Sequence, residues 1–164
     1  INAHDYSEIW NAISEAQKLN AEMGLDASFV CCNVLDTSAH VPGQFDIVFT
    51  SYGTIGWLPD LQPWAQVVAE KLKPGGLFYI AEFHPVVWMF DDEFTRIAYS
   101  YENQSISEVL NALIGAGLQI EQFNEHMYSP YPCFRNVIEF EKGKWHIKGL
   151  EGKIPMVYSV KAKK

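Results

Sequence analysis

The sequence predicts an α/β domain built on a parallel sheet, and three successive stretches predict it. Phe45 to Tyr52, FDIVFTSY, is a short apolar run of the kind that forms a strand covered on both faces. Leu61 to Leu72 places Trp64, Val67, Val68 and Leu72 on one side of a helix and stops at Lys73-Pro74-Gly75-Gly76, where a basic residue followed by Pro and Gly suits a helix end. Leu77 to Phe83 is a further apolar run. A strand, a helix, a glycine-rich turn and a strand, in that order, imply a parallel crossover.

The other elements follow from the same reasoning. Asn11 to Met23 carries Ala12, Ile13, Ala16, Leu19 and Met23 at helical spacing, and Gly24 is a stop signal. Ser28 to Cys32 reads as a short apolar strand, and Thr37 to Gln44 as a loop punctuated by Pro42 and Gly43. Val86 to Tyr101 is aromatic and less regular, an insertion with hairpin character. Ser105 to Ala116 is a helix whose Ser105 and Glu108 have capping-box spacing, followed by Gly117. Leu118 to Phe123 is a strand, Asn136 to Glu141 and Lys144 to Lys148 form a hairpin, and Met156 to Lys161 is the last strand. No strand leads into the first helix, and Tyr101-Glu102 joins an aromatic stretch to a helix cap with almost no linker, so segments are expected to be missing at both places.

A chain of 164 residues suits a single domain, residues 1–164, with a substantial core. Its formal charge of -8 argues against nucleic acid or an anionic membrane as the default partner. Lys161, Lys163 and Lys164 read as a solvated basic tail. The three cysteines, Cys31, Cys32 and Cys133, have neither a disulfide framework nor zinc spacing and read as buried thiols. These residues hold no signal-peptide pattern or long apolar segment, and the expected location is cytoplasmic. The residues do not specify an oligomeric state.

After Phe49 the chain passes to Thr50, Ser51, Tyr52, Gly53 and Thr54, then at once to Trp57, Leu58 and Pro59. Ligands of open parallel sheets bind at the carboxyl ends of strands. Small hydroxyl and glycine residues let a backbone approach a ligand closely and offer it hydrogen bonds. Thr50 to Gly53 therefore reads as a binding edge with Trp57 and Leu58 as an apolar rim; the competing reading is a strand-to-helix turn in which Gly and Thr serve geometry alone.

Phe45-Asp46-Ile47-Val48, then Leu72-Lys73-Pro74-Gly75-Gly76, then an apolar strand ending at Glu82 resembles the class I S-adenosylmethionine-dependent methyltransferases, the Rossmann-like methyltransferase domain. The resemblance implies a seven-stranded, mostly parallel sheet with an antiparallel strand near the C-terminus. Val30 to Asp36, VCCNVLD, resembles the family's third strand. The likeness covers residues 11–84 best; beyond them it rests on the helix, strand, strand succession, with 85–104 and 127–150 as insertions forming a lid. The family's first strand and the glycine-rich loop that holds the methionine part of the cofactor are missing before Asn11, and Asn33 stands where the family has Asp or Glu near the adenine.

The resemblance further implies an in-line displacement at the methyl group of S-adenosyl-L-methionine, delivered to a small-molecule acceptor. Ser51, Tyr52, Gly53 and Thr54 match the positions near the methionine part, and Asn33 and Val34 match the adenine wall. Val34 in the core and Tyr52 as a plug in the crevice are the plainer alternatives. His84, at the end of the next strand, has the chemistry of a base near neutral pH, with Glu82 to orient it; a histidine before proline also reads as a packed, hydrogen-bonded residue. Trp57, Trp88 and Tyr128 belong to an aromatic set suited either to enclosing an acceptor or to forming a small second core. A non-catalytic module binding the same cofactor is the alternative function. A nucleotide-binding oxidoreductase would need a glycine fingerprint opening the first helix, which the sequence lacks. The His, Asp and Glu spacings hold no metal triad.

Overall fold

The computed structural model describes residues 3–101 and 104–164. The junction at Tyr101-Glu102 reaches outside the described residues. The chain divides into two compact units, Ile1–Pro42 and Gly43–Lys164.

The first unit is helical. Helix α1 spans Ala3–Glu22, starting well before the expected Asn11. It ends where Gly24 takes a φ of 64°, a left-handed conformation open to glycine at little cost. Ser28 to Cys32 is not a strand: it pairs with no segment among the described residues. An apolar run becomes a strand only where a neighbour takes up its backbone hydrogen bonds. Asn33 instead caps a 3-10 turn over Val34–Asp36, and α2, a single turn over Thr37–His40, replaces part of the expected loop.

The second unit holds a four-stranded sheet whose strands lie in the order Phe45–Ser51 (β1), Leu72–Phe83 (β2), Val157–Lys163 (β6) and Gln119–His126 (β3). Strand β1 is Phe45–Ser51 and β2 is Leu72–Phe83, and they pair in parallel from Ile47 with Leu77 to Ser51 with Ala81. Helix α3, Leu61–Lys71, makes the crossover, with Asp60 at its start accepting from the Gln62 amide at 2.9 Å. Strand β2 begins earlier than expected because Leu72 already pairs with Phe45, so the Lys-Pro-Gly-Gly segment lies inside it. Gly76 belongs there sterically: a Cβ would come within 2.9 Å of the Lys73 carbonyl oxygen and 3.2 Å of that of Asp46.

Helix α4, Ile106–Gly115, has the expected capping box between Ser105 and Glu108. Strand β3, Gln119–His126, pairs antiparallel with β6, Val157–Lys163, which pairs antiparallel with β2. The antiparallel C-terminal strand is thus present, but the described residues form a four-stranded mixed sheet and a two-stranded hairpin, not seven strands in one sheet. That hairpin is β4, Val137–Glu141, with β5, Lys144–Ile147. Residues 86–101 form no true hairpin; a 3-10 turn over Pro85–Met89 leads to a lone bridge between Phe90 and Ile97.

Within this unit α3 and α4 cover one face of the sheet, burying Trp64, Val68, Phe78, Ile80, Leu113 and Val160. Trp64 meets Phe78 edge to face at 5.7 Å. Strand β1 was expected to be covered on both faces, yet Ile47 and Phe49 are exposed, because they project from the other face. Lys163 and Lys164 of the basic tail are exposed as expected, but two of its ammonium groups have partners. Lys161 pairs with Glu121 at 2.8 Å, and the Lys164 ammonium donates to the Ala69 and Leu72 carbonyls at 2.6 and 2.8 Å, capping the end of α3. Cys31 and Cys133 are exposed rather than buried. Among the described residues no helix is long and apolar enough to cross a membrane.

Candidate active site

Because β1 and β2 are parallel neighbours, their carboxyl ends deliver Tyr52 and His84 to the same end of the sheet. The two ends are fastened by Glu82. One carboxylate oxygen accepts from the Gly53 amide and, at 2.8 Å, from that of Phe83. The other accepts from the Thr54 amide at 2.9 Å, the Thr54 hydroxyl at 3.3 Å and the Ile55 amide at 3.4 Å. This is what the small residues after β1 provide: a tight turn of backbone N–H groups around a buried carboxylate. Gly53 bends that turn at a φ of 76°, and a Cβ there would meet only Phe83 Cε2, at 4.0 Å. Glu82 was expected to orient His84; it binds the turn of Gly53 to Ile55 instead.

Beside this clip lies a cavity of about 380 Å³, lined by Gly53, Ile55, Gly56, Trp57, Glu82, Phe83, Pro85, Trp88, Gln104 and Tyr158. It brings together the expected Gly53, Trp57, Glu82 and Trp88. Tyr52 and Tyr128 line a different cavity of about 250 Å³, with Phe49, Tyr79, His126 and Ser159. Tyr128 meets Phe140 at 6.4 Å and lies 5.3 Å beneath the Lys144 ammonium, away from Trp57 and Trp88. Ser51 and Thr54 line neither cavity. Much of the aromatic set forms the second core: Phe83 packs against Tyr52, Trp88, Tyr131 and Phe134 at 5.1 to 6.0 Å between centroids.

His84 is buried and does not line the 380 Å³ cavity. Its Nδ1 accepts from the Val86 amide at 3.1 Å, which caps the Pro85–Met89 turn and places the ring proton on Nε2, 3.0 Å from the Glu125 carboxylate. Both nitrogens are engaged, so the ring in this arrangement is a cap and not a free base. Burial pushes its pKa down, and the hydrogen bond and charge of Glu125 offset this only in part. The unfolded chain takes up a proton near pH 6.5 that the folded ring resists, so the contribution of His84 is present above that pH and is lost as pH falls. The melting-temperature advantage of wild type over His84→Gln is therefore expected to shrink between about pH 7.5 and pH 5.5. An advantage that stays constant or grows on acidification would contradict this assignment.

In the first unit the Asn33 side-chain oxygen accepts from the Leu35 amide at 3.0 Å. Val34 is exposed, which removes the core alternative for it. Sequence reasoning missed Ile55, Gln104 and Tyr158. The last becomes legible only from the register, which sets Tyr158 opposite Glu82 and on the same face. Among the described residues no group of His, Cys, Asp or Glu is placed to hold a metal ion.

No family model matches the chain, and no curated protein matches it. Solved structures do. An S-adenosylmethionine-dependent methyltransferase from Clostridium acetobutylicum superposes with a TM-score of 0.62 at 14% identity, over 93% of this chain and 71% of that one. One from Mesorhizobium loti gives 0.52 at 19% identity, over 81% and 68%. The fold is that of the class I methyltransferases. The geranyl diphosphate C-methyltransferase from Streptomyces coelicolor shares this methyltransferase fold, with a TM-score of 0.53 at 17% identity, over 90% and 57%. In the methyltransferase fold seen here, the cavity beside Glu82 sits at the carboxyl ends of the two parallel strands, where open α/β sheets bind ligands.

Proposed function

We propose that the chain is an S-adenosylmethionine-dependent methyltransferase acting on a small-molecule acceptor. The observation that carries this reading is the mainly apolar cavity of about 380 Å³ held open beside the Glu82 clip at the ends of β1 and β2. Its size and lining suit a small organic molecule. The Streptomyces coelicolor neighbour, whose structure contains geranyl diphosphate and S-adenosyl-L-homocysteine, supports a small acceptor.

S-adenosylmethionine supplies, when bound, a methyl group that is already electrophilic. The chain's own work is to bind, to align and to exclude water. Ser51, Tyr52, Gly53 and Thr54 would hold the methionine part, with the bare Cα of Gly53 leaving the backbone open to close approach. The assignment of Asn33 and Val34 to the adenine is carried by the sequence resemblance. Trp57 and Trp88 would flank the acceptor, Trp88 coming from the 85–104 insertion read as a lid with 127–150. His84 enters as the cap that sets Pro85 and Trp88 in the wall.

Calorimetric titration with S-adenosylmethionine and S-adenosylhomocysteine tests the cofactor, and methyl transfer to a panel of neutral aromatic alcohols and amines tests the reaction. Binding with transfer is expected. Absence of binding rejects the reading, while binding without transfer to any acceptor favours the non-catalytic module. His84→Gln, which removes the imidazole, is expected to leave a pH profile of turnover without a lost basic limb, since His84 acts as a cap; a lost limb would restore the base role to that residue.

A further inference from the structure

Tyr158 is 1% exposed, and among the described residues its hydroxyl is the buried side-chain polar atom with no hydrogen-bond partner. A buried hydroxyl left unpaired costs free energy, and one retained in a folded protein calls for an explanation. The residue lines the cavity of about 380 Å³ together with Glu82, Phe83, Trp57 and Trp88. The antiparallel register puts Tyr158 directly across from Glu82, so both side chains leave the sheet on one face. The ring is fixed by edge-on contact with His84 at 6.3 Å and by Phe123 at 6.1 Å. The phenol is therefore locked in place by packing beside the cavity, with its hydroxyl lacking a partner among the described residues.

Charge narrows what that ligand is. Burial and the nearby Glu82 carboxylate both push the Tyr158 pKa far above the usual tyrosine range, so the group is a hydrogen-bond donor at any physiological pH. The same buried carboxylate, held by the amides of residues 53–55, opposes a second negative charge in the cavity. We propose that Tyr158 is the specificity-determining residue of this cavity, its hydroxyl donating to a neutral oxygen, such as a carbonyl, of a compact aromatic molecule. Naming that molecule the methyl acceptor rests on the function proposed above; the binding itself does not.

The test uses the full chain and no methyl donor, so failure of methyl transfer and failure of this proposal are separate results. Acetophenone and α-methylstyrene have nearly one shape, and only the first carries the oxygen. Titrations followed by NMR, with the indole signals of Trp57 and Trp88 reporting on the cavity, are expected to show acetophenone binding about tenfold tighter. Tyr158→Phe should bring that ratio close to one, leave α-methylstyrene affinity unchanged, and raise the melting temperature by about 3 °C, because an unpaired buried hydroxyl is gone. Benzoate, tested on wild type alone, should bind at least about tenfold more weakly than acetophenone. A ratio that survives Tyr158→Phe, benzoate binding as tightly as acetophenone, or neither neutral probe shifting the indole signals would each overturn the proposal.

Discussion

Replacing Glu82 with alanine is expected to destabilise the chain by about 3–5 kcal/mol, measured as a shift in the urea unfolding midpoint. The carboxylate is 5% exposed and accepts from the backbone of Gly53, Thr54, Ile55 and Phe83. Its removal strands several donors at once, the Ile55 and Phe83 amides among them in buried positions. Glu82→Gln separates the clip from mere volume. The amide keeps the shape but offers one acceptor oxygen, and its NH₂ faces backbone N–H groups that cannot accept. The loss should be about half that of alanine. Both variants should weaken S-adenosylmethionine binding by at least about tenfold, since the turn at Gly53 and Thr54 loses its template. A shift below about 1 kcal/mol in the alanine variant would mean that the turn holds its shape without the carboxylate.

Phe83→Ala should cost about as much, roughly 3–5 kcal/mol by chemical or thermal denaturation, through a different route. Phe83 is 7% exposed and its ring touches four other aromatic rings, those of Tyr52, Trp88, Tyr131 and Phe134. It joins the strand end to both insertions, so truncation leaves a hole in the second core and frees Trp88, which lines the cavity. Phe83→Leu, which refills part of that volume, should recover about half of the loss. Equal losses for alanine and leucine would show that ring geometry, not volume, holds the insertions together.

The elements most legible in the sequence were those whose signal is local. The capping box at Ser105 and Glu108, the crossover helix read over Leu61 to Leu72 and found over Leu61–Lys71, and the succession of strands after α4 all follow from spacing and turn chemistry. Features that depend on partners were not legible. Ser28 to Cys32 has the composition of a strand but no pairing neighbour among the described residues, and the Lys164 ammonium reads as free of partners until the end of α3 is known to lie beside it. The site divides in the same way. Gly53, Trp57, Glu82 and Trp88 sit near strand ends and could be picked out by position; Tyr158 lies within a strand far along the chain, and only its pairing with Glu82 brings it to the cavity. Tyr128 was grouped with Trp57 and Trp88 by type, while the hairpin carries it to the side of Phe140 and Lys144.

The order β1-β2-β6-β3 has a consequence for how the molecule is made. The strand at Val157–Lys163 fills the slot between two strands that leave the ribosome before it, so β3 has no ladder to join while it waits. Pairing Phe83 with Val157 and Leu77 with Lys163 closes loops of long sequence separation, which is slow and leaves unpaired backbone exposed to other chains in the meantime. The second unit can therefore close its sheet only after translation has passed Lys163, and a ribosome stalled within that strand would hold out two incomplete sheet edges for any nascent neighbour to capture.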